Sequence, residues 1–186
     1  MEIKPTDILA AEHRIIEKVV KAIGLLAEGM EAGRDVPPEF LKDVVGFMRG
    51  YGDYFHHGKE EKELFPFLEE KGIPAHGCPT EALIQEHDAG RNHLLGLSRS
   101  IDSYACRNAS GKATVVNSLK GLAGLYPAHI WKEEYLLFPM INTLMTAGDQ
   151  EELHERFIKA DMSLGQDLLV RYRELASRME MLMQPV

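Results

Sequence analysis

One eleven-residue motif occurs twice in this chain, with a histidine, a lysine and two glutamates at the same spacing in both copies. The segment HHGKEEKELFP at residues 56–66 matches HIWKEEYLLFP at residues 129–139. Each copy holds a histidine, a glutamate four residues later and a final Leu-Phe-Pro. An internal repeat is typical of a fold that uses one structural unit more than once. The chain must therefore fold so that both copies occupy equivalent positions.

A shorter pair of segments is separated by nearly the same number of residues. AEHRII at residues 11–16 aligns with QEHDAG at residues 85–90, and each contains a Glu-His pair. The first half of the chain thus resembles the second half, in the same order. We expect two helical hairpins related by a pseudo-two-fold axis, which together form a four-helix bundle.

Apolar spacing predicts helices throughout, because no segment shows the sustained alternation of a β-strand. Gly and Pro residues mark the connections between helices. The prolines within the repeated motif, Pro66 and Pro139, are expected to bend their helices without ending them. The five predicted helices span about residues 6–31, 38–71, 80–106, 112–146 and 149–183.

The predicted fold class is therefore all-α, an up-and-down four-helix bundle with an additional C-terminal helix. Residues 1–147 are assigned to the bundle and residues 148–186 to the C-terminal helix. That last helix is amphipathic and carries no copy of the motif. We expect it to pack on the bundle or to form the interface of a homodimer.

Composition excludes several classes of function. The 186 residues suffice for one domain with a substantial core. A formal net charge of -8 is poorly suited to nucleic acid, which attracts basic surfaces. No apolar run is long enough to span a membrane, and the first residues lack the pattern of a secretory signal. Cys78 and Cys106 make no disulfide framework. A cytoplasmic location is the resulting expectation.

Residues four apart on a helix face the same way. His56 therefore shares a face with Glu60, and His129 shares one with Glu133. Apolar residues continue each of these stripes, which predicts that the polar groups point into the bundle. His13 and the histidine of the second Glu-His pair, His87, also lie on apolar stripes.

Buried imidazoles and carboxylates are unfavourable without partners, and a bound cation would satisfy them. Nitrogen and oxygen ligands in a bundle core suit non-haem iron or manganese, and also zinc. Any one of these histidines alone is better explained as a hydrogen-bonded core or surface residue. The duplicated set on apolar faces favours a metal site. A solvated face is the expected role of five other charged residues of the motif, namely Lys59, Glu61, Glu63, Lys132 and Glu134.

These motifs together resemble the hemerythrin-like (HHE cation-binding) family over residues 6–147. The matching features are the lone His13, both copies of the motif, and EHDAGR at residues 86–91. The resemblance implies two iron ions joined by an oxo or hydroxo bridge, with manganese or zinc as less favoured alternatives. The terminal ligands that the resemblance implies are His13, His56, His87 and His129. The bridging carboxylates that it implies are Glu60 and Glu133.

The chain departs from the oxygen-carrying members of that family at two positions. They have a further histidine where this chain has Arg91, and an aspartate five residues after the last histidine. Here Glu133 follows His129 by four residues. Both departures are similar to members with four histidines and two glutamates, which include iron–sulfur repair proteins and sensors of iron or oxygen. Reversible oxygen carriage is thus disfavoured.

Several neighbouring residues are candidates for supporting roles. His57 is one additional candidate ligand at the edge of the site. Tyr126 is expected to face the metal pocket, either as a hydrogen-bond donor to a bound ligand or only as a lining aromatic. The candidate acceptors for imidazole N–H groups are Glu12, Glu86 and Asp88. No role is assigned to His76, His93 or His154.

The leading functional hypothesis is a diiron protein that binds or senses a small diatomic ligand, oxygen or nitric oxide. An iron–sulfur repair or oxidant-detoxifying enzyme is the first alternative. Repair proteins often carry a cysteine-bearing N-terminal extension, and no cysteine precedes His13 here. A metal-stabilised interaction module without a redox role is the second alternative.

Overall fold

A computed structural model of the chain describes residues 3–73 and 79–182. All regular structure in these two ranges is helical, and they contain no strand. The predicted all-α class is therefore confirmed. No helix in the described ranges is long and apolar enough to cross a membrane. His76 and Cys78 lie outside the described residues.

The first hairpin is formed by α1 (Pro5–Glu31) and a composite second helix. The second helix begins as α2 (Pro38–Phe47), continues through π-helical turns at Met48–His57 and Glu60–Leu64, and ends as α3 (Phe65–Glu70). Gly72 follows it with a φ of 82°, a left-handed conformation that glycine adopts without strain.

The second hairpin repeats this plan. It contains α4 (Pro79–Ala105) and a composite fourth helix, with α5 (Ala109–Lys132), a π-helical turn at Glu133–Leu137 and α6 (Phe138–Leu144). The Asn108 side chain caps α5 by accepting hydrogen bonds from two backbone N–H groups. The α1 helix packs against α5, and α4 packs against both α5 and α2, which closes the four-helix bundle.

The repeated prolines change the helix at the same point in both hairpins. Pro66 and Pro139 are each the second residue of a new α-helical segment that follows a π-helical turn. The backbone N–H of Phe65 donates to the Glu60 carbonyl, five residues back, and the Phe138 N–H donates to the Glu133 carbonyl. A wider turn gives the proline ring room against the preceding carbonyl groups. The helices therefore continue through a wide turn at the positions where we expected bends.

Two apolar clusters fill the bundle, one on each side of the predicted polar site. His13 lies between Leu9, which belongs to the smaller cluster, and Ile16, which belongs to the larger one. On the second helix, His56 and Glu60 lie between Met48 of the larger cluster and Leu64 of the smaller one. The polar residues are thus enclosed by hydrophobic core along the bundle axis.

The C-terminal segment differs from its prediction, since it forms two helices in place of one. They are α7 (Ala147–Leu164) and α8 (Gln166–Leu182), separated by Gly165 with a φ of 86°. Both pack on the bundle. Phe157 of α7 belongs to the smaller apolar cluster, and Met179 of α8 belongs to the larger one. A second set of apolar residues stays exposed: Ile158, Met162, Val170 and Met181.

Candidate metal centre

The structure brings all six predicted ligands together in the middle of the bundle. None of them is more than 3% exposed. They come from all four helices, one histidine from α1, one from α4 and a histidine–glutamate pair from each composite helix. The six are His13, His56, Glu60, His87, His129 and Glu133.

Each glutamate directs its two oxygen atoms to histidines of different hairpins. Glu60 Oε1 lies 3.5 Å from His56 Nε2, and Glu60 Oε2 lies 3.4 Å from His87 Nε2. Glu133 follows the same plan. Its Oε2 lies 3.0 Å from His13 Nε2, and its Oε1 lies 3.3 Å from His129 Nε2. A carboxylate with one oxygen on each side has the arrangement of a bridging ligand.

The donor atoms form two adjacent groups, and within each group they lie within 4.8 Å of one another. Glu60 belongs to both groups. We call the group that contains the α1 histidine the first position, and the group that contains the α4 histidine the second position. The first position consists of His13, His56, Glu60 and Glu133, and the second of His57, Glu60, His87 and His129.

The unpartnered atoms at this site fit a bound cation. The Nε2 atoms of His13, His56, His87 and His129, and all four carboxylate oxygens of the two glutamates, are buried without a hydrogen-bond partner in the described part of the chain. Such a concentration of unsatisfied polar atoms is unfavourable in an apolar core. Metal ions would satisfy them, and the mixed nitrogen and oxygen donors suit iron, manganese or zinc.

A carboxylate holds the other ring nitrogen of each of the four histidines. His56 Nδ1 lies 2.9 Å from Glu12 Oε2, and His129 Nδ1 lies 3.1 Å from Glu86 Oε2. Both glutamates were among the acceptors predicted for imidazole N–H groups. The third candidate, Asp88, accepts instead from Arg91. An Nδ1–H that donates to a carboxylate leaves Nε2 free to face a metal.

The two remaining histidines use acceptors that the sequence analysis assigned to a solvated face. His13 Nδ1 lies 2.9 Å from Glu134 Oε1, and His87 Nδ1 lies 2.6 Å from Glu61 Oε1. That assignment was wrong for both glutamates because each composite helix turns its second glutamate toward the neighbouring helix. Their recurrence in both copies of the motif was the signal that could have identified them.

The assignment to a solvated face was also wrong for Lys59. Its side chain is 1% exposed and donates to both Glu12 and Asp161. Lys132, at the same place in the second copy, is 37% exposed and donates to Glu86. Glu63 is half-buried.

His57 lies closer to the centre than its predicted position at the edge. It is buried, and its ring stacks on that of His87 with a centroid distance of 3.8 Å. Its Nδ1 atom lies 3.5 Å from Asp53 Oδ1. His57 lies in a π-helical stretch, where the wider turn separates successive side chains by a smaller angle than in an α-helix. An α-helical projection therefore placed His57 too far from the centre of the site.

Arg91 and Tyr126 border the second position. The Arg91 guanidinium donates to Asp53, Asp88 and Glu61, so it ties the second helix to α4. Tyr126 is buried, with its ring centroid 6.0 Å from that of His57 and 6.2 Å from that of His129. Tyr126 is therefore close to the second position, while its role as a pocket residue and its hydrogen bond to a bound ligand stay predictions.

Burial shifts the pKa of several of these buried donors. It lowers the pKa of His56 and of His129 well below the ordinary value, and neighbouring imidazoles lower both further. Burial also lowers the pKa of His57 to about 4. Burial and the closeness of the two carboxyl groups raise the pKa of Glu60 well above its usual range. Neutral imidazoles are the form that binds metal ions.

The remaining described histidines lie away from the site. His93 packs against Gly121 of α5, and His154 is a half-buried residue of α7. This arrangement agrees with the absence of an assigned role for either residue.

An all-helical bundle that encloses paired histidines and carboxylates, with their free donor atoms converging on two points, defines a class of metal-binding protein. The chain belongs to the hemerythrin family, because it matches the hemerythrin HHE cation binding domain over residues 4–141. The family resemblance predicted from the motifs is thus confirmed.

Curated relatives of the chain come from mycobacteria. Uncharacterized proteins of Mycobacterium bovis and of two Mycobacterium tuberculosis strains are each 20% identical to it over 153 residues. The matched region covers 82% of this chain and 59% of each relative. The chain therefore spans about three-fifths of the length of these relatives. No solved structure matches it significantly.

Proposed function

We propose that this protein holds two iron ions and binds or senses a small diatomic ligand, oxygen or nitric oxide. The observation that carries the proposal is the placement of the two buried glutamates. Glu60 and Glu133 each have one oxygen near a histidine of either hairpin, at 3.0 to 3.5 Å. That geometry suits a pair of metal ions bridged by both carboxylates better than it suits a single ion.

The proposed ligand set follows the two groups of donors. His13 and His56 would hold the first ion, and His87 and His129 the second, with Glu60 and Glu133 shared. His57 is proposed as a further ligand of the second ion, because it belongs to the same group of donor atoms. A pair of irons would supply redox electrons and a coordination position for the exogenous ligand.

The protein's own residues prepare this chemistry. The acceptors at the Nδ1 atoms, Glu12, Glu61, Glu86 and Glu134, fix each imidazole with Nε2 inward. All donors are enclosed by apolar core, so a molecule that reaches them must be very small. Tyr126 borders the second position and is proposed to donate a hydrogen bond to the ligand. These features together favour a diatomic ligand over a larger substrate.

Metal analysis combined with absorption spectroscopy tests the proposal. The protein is purified without air, its iron is quantified, and spectra are recorded before and after addition of oxygen or nitric oxide. We expect about two irons per chain and new near-ultraviolet bands upon exposure. Stoichiometric zinc with an unchanged spectrum would contradict the proposal in favour of a metal-stabilised interaction module. Catalytic consumption of the added oxidant would favour the enzymatic alternative.

Two further expectations stay proposals, a cytoplasmic location and self-association. The exposed apolar residues of α7 and α8 are the surface that a homodimer would use, and Met162 is the most exposed of them at 73%. Light scattering of the intact protein tests this expectation. A monomer at all concentrations would remove it.

A further inference from the structure

A carboxylate from the C-terminal segment reaches the hydrogen-bond network of the first metal position. Asp161 of α7 accepts a hydrogen bond from Lys59 Nζ at 2.9 Å. Lys59 also donates to Glu12, and Glu12 is the acceptor for His56 Nδ1. A continuous chain of charged contacts therefore joins α7 to a proposed ligand of the first ion.

Among residues 3–73 and 79–182, the second position has no counterpart of the contact with Asp161. Lys132 donates to Glu86, which is the acceptor for His129 Nδ1, so the first two links are the same. The Lys132 side chain is 37% exposed and its ion pair is with Glu86. The two halves of the site thus share the lysine–glutamate–histidine contacts, and they differ in what their lysine meets next.

Burial makes the difference at Lys59 significant. Its side chain is 1% exposed, and its ammonium group lies 3.9 Å from the centre of the Phe55 ring. Charged groups interact more strongly when they are removed from water. Because Lys59 is shared between two carboxylates, the contact with Asp161 changes how strongly Lys59 attracts Glu12.

We propose that Asp161 is a positioning residue that tunes the first metal position separately from the second, by acting through Lys59 and Glu12 on His56. The proposal rests on the two-metal function proposed above. Asp161 takes part of the Lys59 charge, so Glu12 keeps more of its own negative charge and is a stronger acceptor for the His56 N–H. A stronger acceptor makes the imidazole a better metal ligand.

Removal of the Asp161 charge tests this coupling. In Asp161→Asn, Lys59 is left to Glu12 alone, as Lys132 is left to Glu86. Loss of an outer partner of a ligand typically weakens metal binding by about 10–100-fold, and Asp161 lies one contact further out, so we expect a smaller loss of about 3–10-fold. Only one of two binding steps should change.

The experiment uses the full chain and Co²⁺ as the probe, in anaerobic titrations followed by calorimetry and visible absorption. We expect Asp161→Asn to weaken one step and to shift the bands of one cobalt ion. Asp161→Glu should restore both properties. Glu155→Gln is the matched control, since it removes one negative charge from an exposed position of the same helix, and it should resemble the wild type.

A double-mutant comparison locates the affected step. When His56→Gln has removed the first position, addition of Asp161→Asn should change the remaining step no further. The proposal is overturned if Asp161→Asn resembles Glu155→Gln, or if both steps weaken equally. Failure of the wild type to bind a pair of ions would overturn the two-metal function as well, and it would be seen before any variant is measured.

Discussion

Lys59 and Lys132 hold the same place in the repeated motif and make the same first contact, yet their surroundings differ. Lys59 is buried beneath α7, whereas Lys132 stays partly exposed. The C-terminal segment packs on both helices of the first hairpin, which contains Lys59, so it breaks the symmetry of the repeat. The comparison teaches that a repeated sequence can specify equal inner contacts while a later segment makes the halves unequal.

The largest expected effect concerns the residues that the two halves share. Glu60→Gln should abolish binding of both ions, because Glu60 belongs to both groups of donors. His56→Gln should remove only the first ion, so the stoichiometry should fall from about two ions per chain to about one. Mass spectrometry of metals in protein loaded without air measures both changes.

Circular dichroism provides the control for these two variants, since both must keep the helical content of the wild type. Retention of two ions by Glu60→Gln would show that the carboxylate is not shared. Loss of both ions in His56→Gln would show that the halves do not fill independently. Either result would contradict the description of the site as two positions that share Glu60 and bind their ions independently.

The matched lysine substitutions test the difference between the halves directly. Lys59→Met keeps the apolar stem but removes the cation that pairs with Glu12 and Asp161, and breaking a buried ion pair costs about 3 kcal/mol of unfolding free energy. Lys132→Met breaks a partly exposed pair and should cost no more than about 1 kcal/mol. Urea denaturation measures both values. Equal losses would contradict the asymmetry.

A third test addresses the contact between α8 and the first hairpin. A Cβ atom added at Gly50 would overlap the Tyr172 hydroxyl and lie 3.1 Å from its ring Cε1 atom. The equivalent residue of the second copy is Ala123. Helix propensity alone would favour Gly50→Ala by about 1 kcal/mol, but the overlap should reverse the sign and destabilise the protein by about 1–3 kcal/mol.

Thermal unfolding of Gly50→Ala measures this loss, and a second substitution identifies its cause. In the background of Tyr172→Leu the clash is absent, so Gly50→Ala should no longer be destabilising. If the loss persists in that background, contact with α8 is not the reason for the glycine.

The smallest expected effect concerns the start of α7, where Lys71 pairs with Asp149 at 2.6 Å. Hydrogen bonds from Lys71 and Thr146 lower the pKa of Asp149 to about 2 from an ordinary value of 3.8. A carboxyl group whose pKa is lower in the folded protein stabilises the fold at pH values above its unfolded-state pKa. That stabilisation is lost as the pH falls through its folded-state pKa. The difference in Tm between wild type and Asp149→Asn should be full at neutral pH and shrink below about pH 4. A difference that is constant from pH 6 to pH 3, measured in metal-free protein, would exclude this role.

The bundle and the six central donors were predictable because their signals are local and repeated. Apolar periodicity located the helices, and the spacing of four residues put His56 and Glu60 on one face. These two inferences needed only the geometry of a single helix. Glu12 and Glu86 were named as acceptors because each adjoins a central histidine, although each accepts from a histidine of another helix, His56 and His129.

The errors came from contacts between helices. Lys59 was expected to be solvated because nothing in its own helix indicates that α7 covers it. Glu61 and Glu134 were misassigned because their histidine partners belong to other helices. The break at Gly165 has a different origin, since a glycine within an amphipathic segment is compatible with either a continuous or an interrupted helix.

The acceptors of His13 and His87 come from the opposite hairpin, Glu134 from the second and Glu61 from the first. Glu60 and Glu133 likewise each face a histidine of the other hairpin. A single hairpin would therefore carry only part of each group of donors and complete neither. A chain with one copy of this hairpin could complete such a site only as a dimer of two identical chains, whereas two copies in one chain allow each half to acquire neighbours of its own.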